Sequence, residues 1–76
     1  MRIFRQRQRI NSRFVGPFDI EDVLEINEDN GEVLNYTLDI DTAQKKRPYT
    51  QTVADMGWED CSGLIKRLKA LGYTED

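Results

Sequence analysis

Apolar and polar residues alternate through the middle of the chain, and this alternation constrains the fold more than any other feature. Between Ile20 and Ile40 the apolar side chains fall mainly on even positions, namely Ile20, Leu24, Ile26, Leu34, Tyr36, Leu38 and Ile40. A period of two residues is typical of β-strands that bury one face. The pattern therefore predicts two strands whose apolar face needs a covering layer.

A hairpin signal, Asp29-Asn30-Gly31, separates the two alternating runs. A two-residue loop at Asn30-Gly31 would place the two apolar rows on opposite faces. A three-residue loop over the whole triplet places Ile26 opposite Leu34 and keeps both rows on one face. It also puts Gly31 in the left-handed conformation that a type I turn with a G1 bulge requires. We therefore expect the three-residue loop, with a polar and acidic opposite face.

Asp22 does not fit the apolar face of this hairpin, where the predicted register places it opposite Leu38. A carboxylate buried without partners is costly. We therefore expect that the strand begins after Asp22 or that its side chain lies at the sheet margin, and we assign it no function.

Charge is strongly segregated along the chain. Residues 1–13 carry five arginines and no acid, whereas residues 14–44 carry nine acids and no base. Within residues 2–10, Phe4 and Ile10 share one face, and Arg5, Arg7 and Arg9 share the other. If this run is a third strand beside the hairpin, the arginines lie on the acidic face, where opposite charges on neighbouring strands contribute roughly 0.2–1 kcal/mol per pair.

The C-terminal part predicts one helix, from about Trp58 to Leu71. Its apolar residues recur every three or four positions, as Cys61, Leu64, Ile65, Leu68 and Leu71. Gly72 is placed to end the helix, with Tyr73 folding back on Leu68 in a Schellman motif. Gly63 weakens the helix by up to about 1 kcal/mol relative to alanine, which suggests a close approach to the sheet.

These elements predict a single small α+β domain over residues 1–76. We expect an antiparallel sheet of three or four strands, the fourth a short edge strand from Tyr49 to Val53, with the C-terminal helix packed on one face. Flexible segments are expected around Gly16-Pro17, from Thr42 to Pro48, and over residues 74–76. The lone cysteine forms no internal disulfide, and no apolar run resembles a signal peptide or a membrane span, so we expect a cytoplasmic protein.

The composition disfavours most enzyme classes. With no histidine and one cysteine, the chain lacks Ser-His and Cys-His nucleophile pairs and the usual zinc ligands. Cys61 lies on the apolar stripe of the helix, so we expect a structural thiol. The acids Glu21, Asp39 and Asp41 lack the glycine and downstream glutamate of an EF-hand loop. We therefore expect a non-enzymatic protein with no cofactor and no metal.

The remaining candidates are binding functions. We expect the chain to bind another protein or a second copy of itself, through the basic side chains of Lys45, Lys46 and Arg47 and through Tyr49, Met56 and Trp58. The alternative is a nucleic-acid-binding protein that uses the row of Arg5, Arg7 and Arg9 together with the loop Lys45-Lys46-Arg47. The sequence pI of about 4.9 and the acidic block weigh against nucleic acid.

Overall fold

The computed structural model describes all 76 residues, and the chain forms five strands and one helix joined by loops. These elements are β1 (Arg2–Ser12), β2 (Gly16–Asn27), β3 (Glu32–Asp39), β4 (Lys45–Thr52), α1 (Cys61–Ala70) and β5 (Thr74–Glu75). The strands form one antiparallel sheet in the order β4-β3-β2-β1-β5. The predicted α+β class, an antiparallel sheet with a C-terminal helix, is confirmed, and β5 adds a fifth strand after the helix.

The loop between β2 and β3 has four residues, Glu28 to Gly31, and not three. It is closed by a hydrogen bond from the Gly31 N–H to the Asn27 carbonyl (2.9 Å). The side-chain oxygens of Asn27 and Asn30 each accept from the backbone N–H two residues further on, at 3.0 and 2.9 Å. Gly31 has the expected left-handed conformation, with φ 73°. The extra loop residue makes the predicted register wrong by one position, because Ile26 pairs with Val33.

This shift exchanges the two faces of β3. Val33 faces the helix, whereas Leu34, Tyr36 and Leu38, predicted on that side, lie on the opposite face. The prediction assumed that only one face of the hairpin is buried. In the structure the opposite face also buries apolar surface, since Val23 is 1% and Tyr36 7% exposed.

The helix is shorter than predicted. Asp60 is its N-cap, and the Asp60 carboxylate accepts from the Gly63 N–H at 2.9 Å, so the predicted first turn from Trp58 lies outside it. The Schellman end is confirmed, because the N–H groups of Gly72 and Tyr73 donate to the carbonyls of Lys69 (3.1 Å) and Leu68 (3.0 Å).

The core lies where α1 packs on one end of the sheet. Eight buried side chains form it, namely Phe4, Leu24, Ile26, Val33, Val53, Leu64, Ile65 and Leu68. Cys61 is half-buried at the margin of this core, whereas Leu71, predicted on the same stripe, is exposed. A Cβ on Gly63 would lie 3.1 Å from the Trp58 ring, so this glycine marks a close approach to Trp58 and not to the sheet.

Three segments predicted to be flexible belong wholly or partly to strands. Gly16 and Pro17 begin β2, after a turn at residues 13–15. Strand β4 begins at Lys45, inside the segment from Thr42 to Pro48 and ahead of the predicted edge strand. Residues 74 and 75 form β5, which pairs with β1 at Phe4 and Arg5.

The helix covers only part of the sheet. At ~1.5 Å per residue, the ten residues of α1 span about 15 Å, whereas the twelve residues of β2 span about 40 Å at ~3.3 Å per residue. No helix in the structure is long and apolar enough to cross a membrane.

Strand β3 pairs with β2 only as far as Ile20. The segment 9–19, which we call the β-arm, therefore extends past β3 as a two-stranded ribbon.

The observed register can be checked with two substitutions in β3. We expect Val33→Ala to lower the free energy of unfolding by about 2 kcal/mol, because Val33 is fully buried and the change leaves a cavity. We expect a smaller loss for Leu34→Ala, since Leu34 is half-buried on the other face. Urea unfolding of both variants measures the difference, and a larger loss for Leu34→Ala would support the three-residue loop.

Candidate functional site

The helix-facing side of the sheet is uncovered beyond α1, and we call this region the open half-face. Cross-strand pairing places these side chains on it: Gln8, Ile10, Phe18, Ile20, Asp22, Asn35, Thr37, Asp39, Lys46, Arg47 and Tyr49. It contains two adjoining clefts. The first, of about 280 Å³, surrounds Asp22, Tyr49 and Tyr73, and the second, of about 340 Å³, surrounds Ile10 and Phe18.

Asp22 lies within β2 and not before it, so both sequence expectations for it are wrong. Its half-buried carboxylate accepts a hydrogen bond from the side-chain amide of Gln8 on β1. Burial, and then the nearby Asp22 charge, raises the pKa of Tyr73, which lines the same cleft. The first cleft therefore contains one carboxylate, that of Asp22, together with the aromatic side chains of Tyr49 and Tyr73.

Arg47 is placed on this surface by a β-bulge in β4. Register with β3 shifts between Asn35 and Thr37, so Arg47 and Pro48 together oppose Tyr36. Arg47 has φ 55°, a left-handed conformation that is uncommon for a residue other than glycine. Its exposed side chain lines both clefts and has no carboxylate within the 4.0 Å ion-pair distance.

The bulge places Arg47 on the same face as Lys46, whereas Lys45, which was grouped with both in the sequence, is apart from them. Lys45 lies on the opposite face, with its Nζ 4.7 Å from the centre of the Tyr36 ring and 4.0 Å from a Glu25 carboxylate oxygen. Lys46 lines the second cleft, where its Nζ is 3.9 Å from Asp39 Oδ2. The triplet therefore does not present three charges on one surface.

The two aromatic candidates and Met56 are also divided. Tyr49 is exposed beside Arg47 at the first cleft. Met56 and Trp58 are half-buried against the helix-side core. The structure thus brings together Arg47 and Tyr49, with Lys46 in the adjoining cleft, and leaves the other three predicted binding residues elsewhere.

The tip of the β-arm is an exposed apolar group that sequence reasoning missed. Phe14 is 95% exposed and Val15 74%, and Phe18 follows on β2 beside Ile10. The Ser12 hydroxyl oxygen accepts from the N–H groups of Phe14 (3.1 Å) and Val15 (3.4 Å), which holds the turn. The signal was present in the sequence, because turns are normally built from polar residues and glycine.

The arginine row on the opposite face is largely neutralised within the chain. Arg5 lies 2.8 Å from an Asp76 carboxylate oxygen and 3.6 Å from one of Glu21. Arg9 lies 3.0 Å from an Asp19 oxygen. Arg7 has no carboxylate within 4.0 Å, so it alone of the three keeps an unpaired charge.

Comparisons of the chain with protein-family models, curated proteins and solved structures find no match.

The pairing of the arginine row can be tested by paired substitutions. We expect Arg5→Gln to lower the free energy of unfolding by about 0.2–1 kcal/mol, since it removes two ion pairs at a partly exposed site. We expect no measurable change for Arg7→Gln, the matched control with no partner. Urea unfolding at low and high salt measures both, and the Arg5 variant should respond less to salt than the parent protein. Equal losses for the two variants would contradict the pairing.

Tyr36 provides a pH test of the opposite face. Burial, and then the hydrogen bond that its hydroxyl donates to Glu25 (2.5 Å), raises the pKa of Tyr36 to about 12. In the unfolded chain a tyrosine ionises near about 10. The unfolded state therefore loses its proton first, and the contribution of Tyr36 to stability, complete below pH ~10, is lost as the pH rises towards ~12.

We expect Tyr36→Phe to flatten this decrease in stability. The measurement is the difference between the two proteins in free energy of unfolding over that pH range, since the other titrating groups are common to both. If the free energy of unfolding decreases equally in the parent and the variant, ionisation of Tyr36 is not the cause of the decrease.

Proposed function

We propose that this protein is a non-enzymatic interaction module, of the adaptor, inhibitor or regulatory-subunit type, that binds another protein through the open half-face and the tip of the β-arm. The observation that carries the proposal is the pair Phe14 and Val15, which are 95% and 74% exposed at a turn two cross-strand pairs beyond Ile10 and Phe18, the residues that line the second cleft. Exposed apolar residues that occur singly are ordinary, whereas a contiguous group marks an interaction site.

Burial of this tip would stabilise a complex substantially. Full burial of a phenylalanine or valine side chain contributes about 1.5–3 kcal/mol. The arm itself gives a second reason for a partner, because a two-stranded ribbon is marginally stable without further packing. Contact with a partner would give the arm further packing and would also remove its apolar tip from water.

Basic side chains border the apolar group. Arg13 at the tip and Arg47 at the clefts are exposed, and neither has a carboxylate within 4.0 Å. A protein partner with an apolar patch bordered by acidic side chains would complement both features. Such charges mainly fix orientation and increase the association rate.

Capture from the host extract tests the proposal. We expect the tagged protein to capture a specific partner, and the double variant Phe14→Ser, Val15→Ser to lose it. Leu71→Ser is the matched control, since it also removes an exposed apolar side chain but lies at the end of α1. With the purified partner, loss of a central apolar anchor worth ~2 kcal/mol corresponds to about a thirtyfold weaker Kd. Equal capture by the parent and the double variant would contradict the proposed surface.

Nucleic acid is the alternative outcome, and the unpaired charges of Arg7, Arg13 and Arg47 are what favours it. Fluorescence anisotropy with single- and double-stranded DNA and RNA at low salt measures this binding. Binding that weakens steeply with salt and persists in the Phe14→Ser, Val15→Ser variant would replace the protein-binding proposal.

A further inference from the structure

The outer edge of β1 is open over most of its length. Strand β5 pairs with β1 only at Phe4 and Arg5, so no strand covers the edge from Gln6 to Ser12. The Asp76 N–H donates to the Ile3 carbonyl on this edge at 2.9 Å. Because backbone groups alternate in direction along a strand, the N–H and C=O groups of Arg7, Arg9 and Asn11 point to the same edge.

The other edge of the sheet is protected and this one is not. Strand β4 carries the bulge at Arg47 and Pro48, a proline without an N–H group, and two lysines. Bulges, prolines and lysines are the features by which edge strands resist further pairing. Strand β1 has no proline, and its register with β2 is continuous from Arg2 to Ser12. It therefore offers seven residues, about 24 Å at ~3.4 Å per residue, for a further strand.

The side chains along this edge define what such a strand would carry. On one face lie Arg7, without a carboxylate partner, and Arg9, whose side chain is 65% exposed. On the other face lie Gln8 and Ile10, which border the open half-face. An added strand would place alternate side chains beside the arginines and the rest beside Ile10.

We propose that a partner segment of alternating acidic and apolar residues adds to the sheet as a strand at the open edge of β1, between Gln6 and Ser12. The inference rests on the proposed function, because it states how the protein partner is held. Main-chain hydrogen bonds would supply affinity, and the alternating side chains would supply specificity.

A second copy of this chain is the less favoured occupant. Antiparallel pairing of β1 with its own copy places Arg5, Arg7 and Arg9 of both copies on the same face. Like charges on neighbouring strands are destabilising. The charge of the edge therefore selects an acidic partner strand and opposes self-pairing.

Amide hydrogen exchange of the intact protein, followed by NMR, tests the inference. The probe is a peptide of alternating glutamate and valine, whose Kd is first measured by titration. At ten times that Kd, we expect the amides of Arg7, Arg9 and Asn11 to exchange about tenfold more slowly than in the free protein. The control peptide has lysine in place of glutamate and should leave these rates unchanged. No saturable binding of the acidic peptide up to millimolar concentration would overturn the inference.

Two variants at one position separate charge from backbone pairing. Arg9→Gln removes the charge and keeps the outward N–H, whereas Arg9→Pro removes both. We expect weaker peptide binding for the first and loss of binding for the second. Retained protection of the Gln8 and Ile10 amides, which point towards β2, shows that each variant is folded. Equal binding by both variants and the parent overturns strand addition.

The remaining outcomes distinguish this inference from the proposed function. Protection of the three edge amides that rises with protein concentration alone identifies a second copy as the occupant and overturns the inference. The Phe14→Ser, Val15→Ser variant keeps the edge, so it should bind the peptide even if the arm tip binds no partner. A natural partner that protects the arm tip but not the edge would leave the proposed function standing and refute strand addition.

Discussion

The packing of one short helix on one end of the sheet is the contact on which the rest of the molecule depends. Leu64, Ile65 and Leu68 meet Phe4 and Ile26 there and form a closed core. A helix of about 15 Å does not cover strands of about 40 Å, so the opposite end of the sheet lacks a second layer. The clefts, the β-arm and its apolar tip all lie in the part that the helix leaves uncovered.

The opposite face is stabilised in a different way, by two buried side chains with ion pairs beside them. Val23 and Tyr36 are buried there beside Arg5, Glu25 and Lys45. Two ion pairs, Arg5–Glu21 and Arg9–Asp19, therefore join the two charge blocks of the sequence on this face. The positive charge left without a carboxylate partner includes Arg7 at the edge, Arg13 at the tip and Arg47 at the clefts, and these charges border the uncovered region.

Local signals in the sequence predicted most of the secondary-structure elements. They predicted less well the register between strands and the residues that meet at the site. Strands β1 to β3, the helix and its Schellman end follow from periodicity and from Gly72, whereas β5 and the start of β4 at Lys45 were not predicted. The β2–β3 register did not follow, because side-chain hydrogen bonds of Asn27 and Asn30 select the longer loop and because both faces of β3 are partly buried. The site was predicted in part, since Arg47 and Tyr49 meet at a cleft, but their neighbour Asp22 was expected either before the strand or at the sheet margin. The exposed position of Phe14 was not predicted, because a period of two residues identifies the buried face of a strand and does not describe a turn.

The two proposed contacts are linked through β1. This strand forms one side of the β-arm, provides Gln8 and Ile10 to the border of the open half-face, and carries the open edge. A strand added along that edge would place its apolar side chains beside Ile10. It would thereby extend the apolar surface that Ile10 forms with Phe18 and Ile20. Its acidic side chains would lie beside Arg7 and Arg9, on the face where the chain already pairs arginine with carboxylate. One partner segment would thus extend both faces of the sheet. It would add apolar side chains to the face of Ile10 and carboxylates to the face of Arg7 and Arg9.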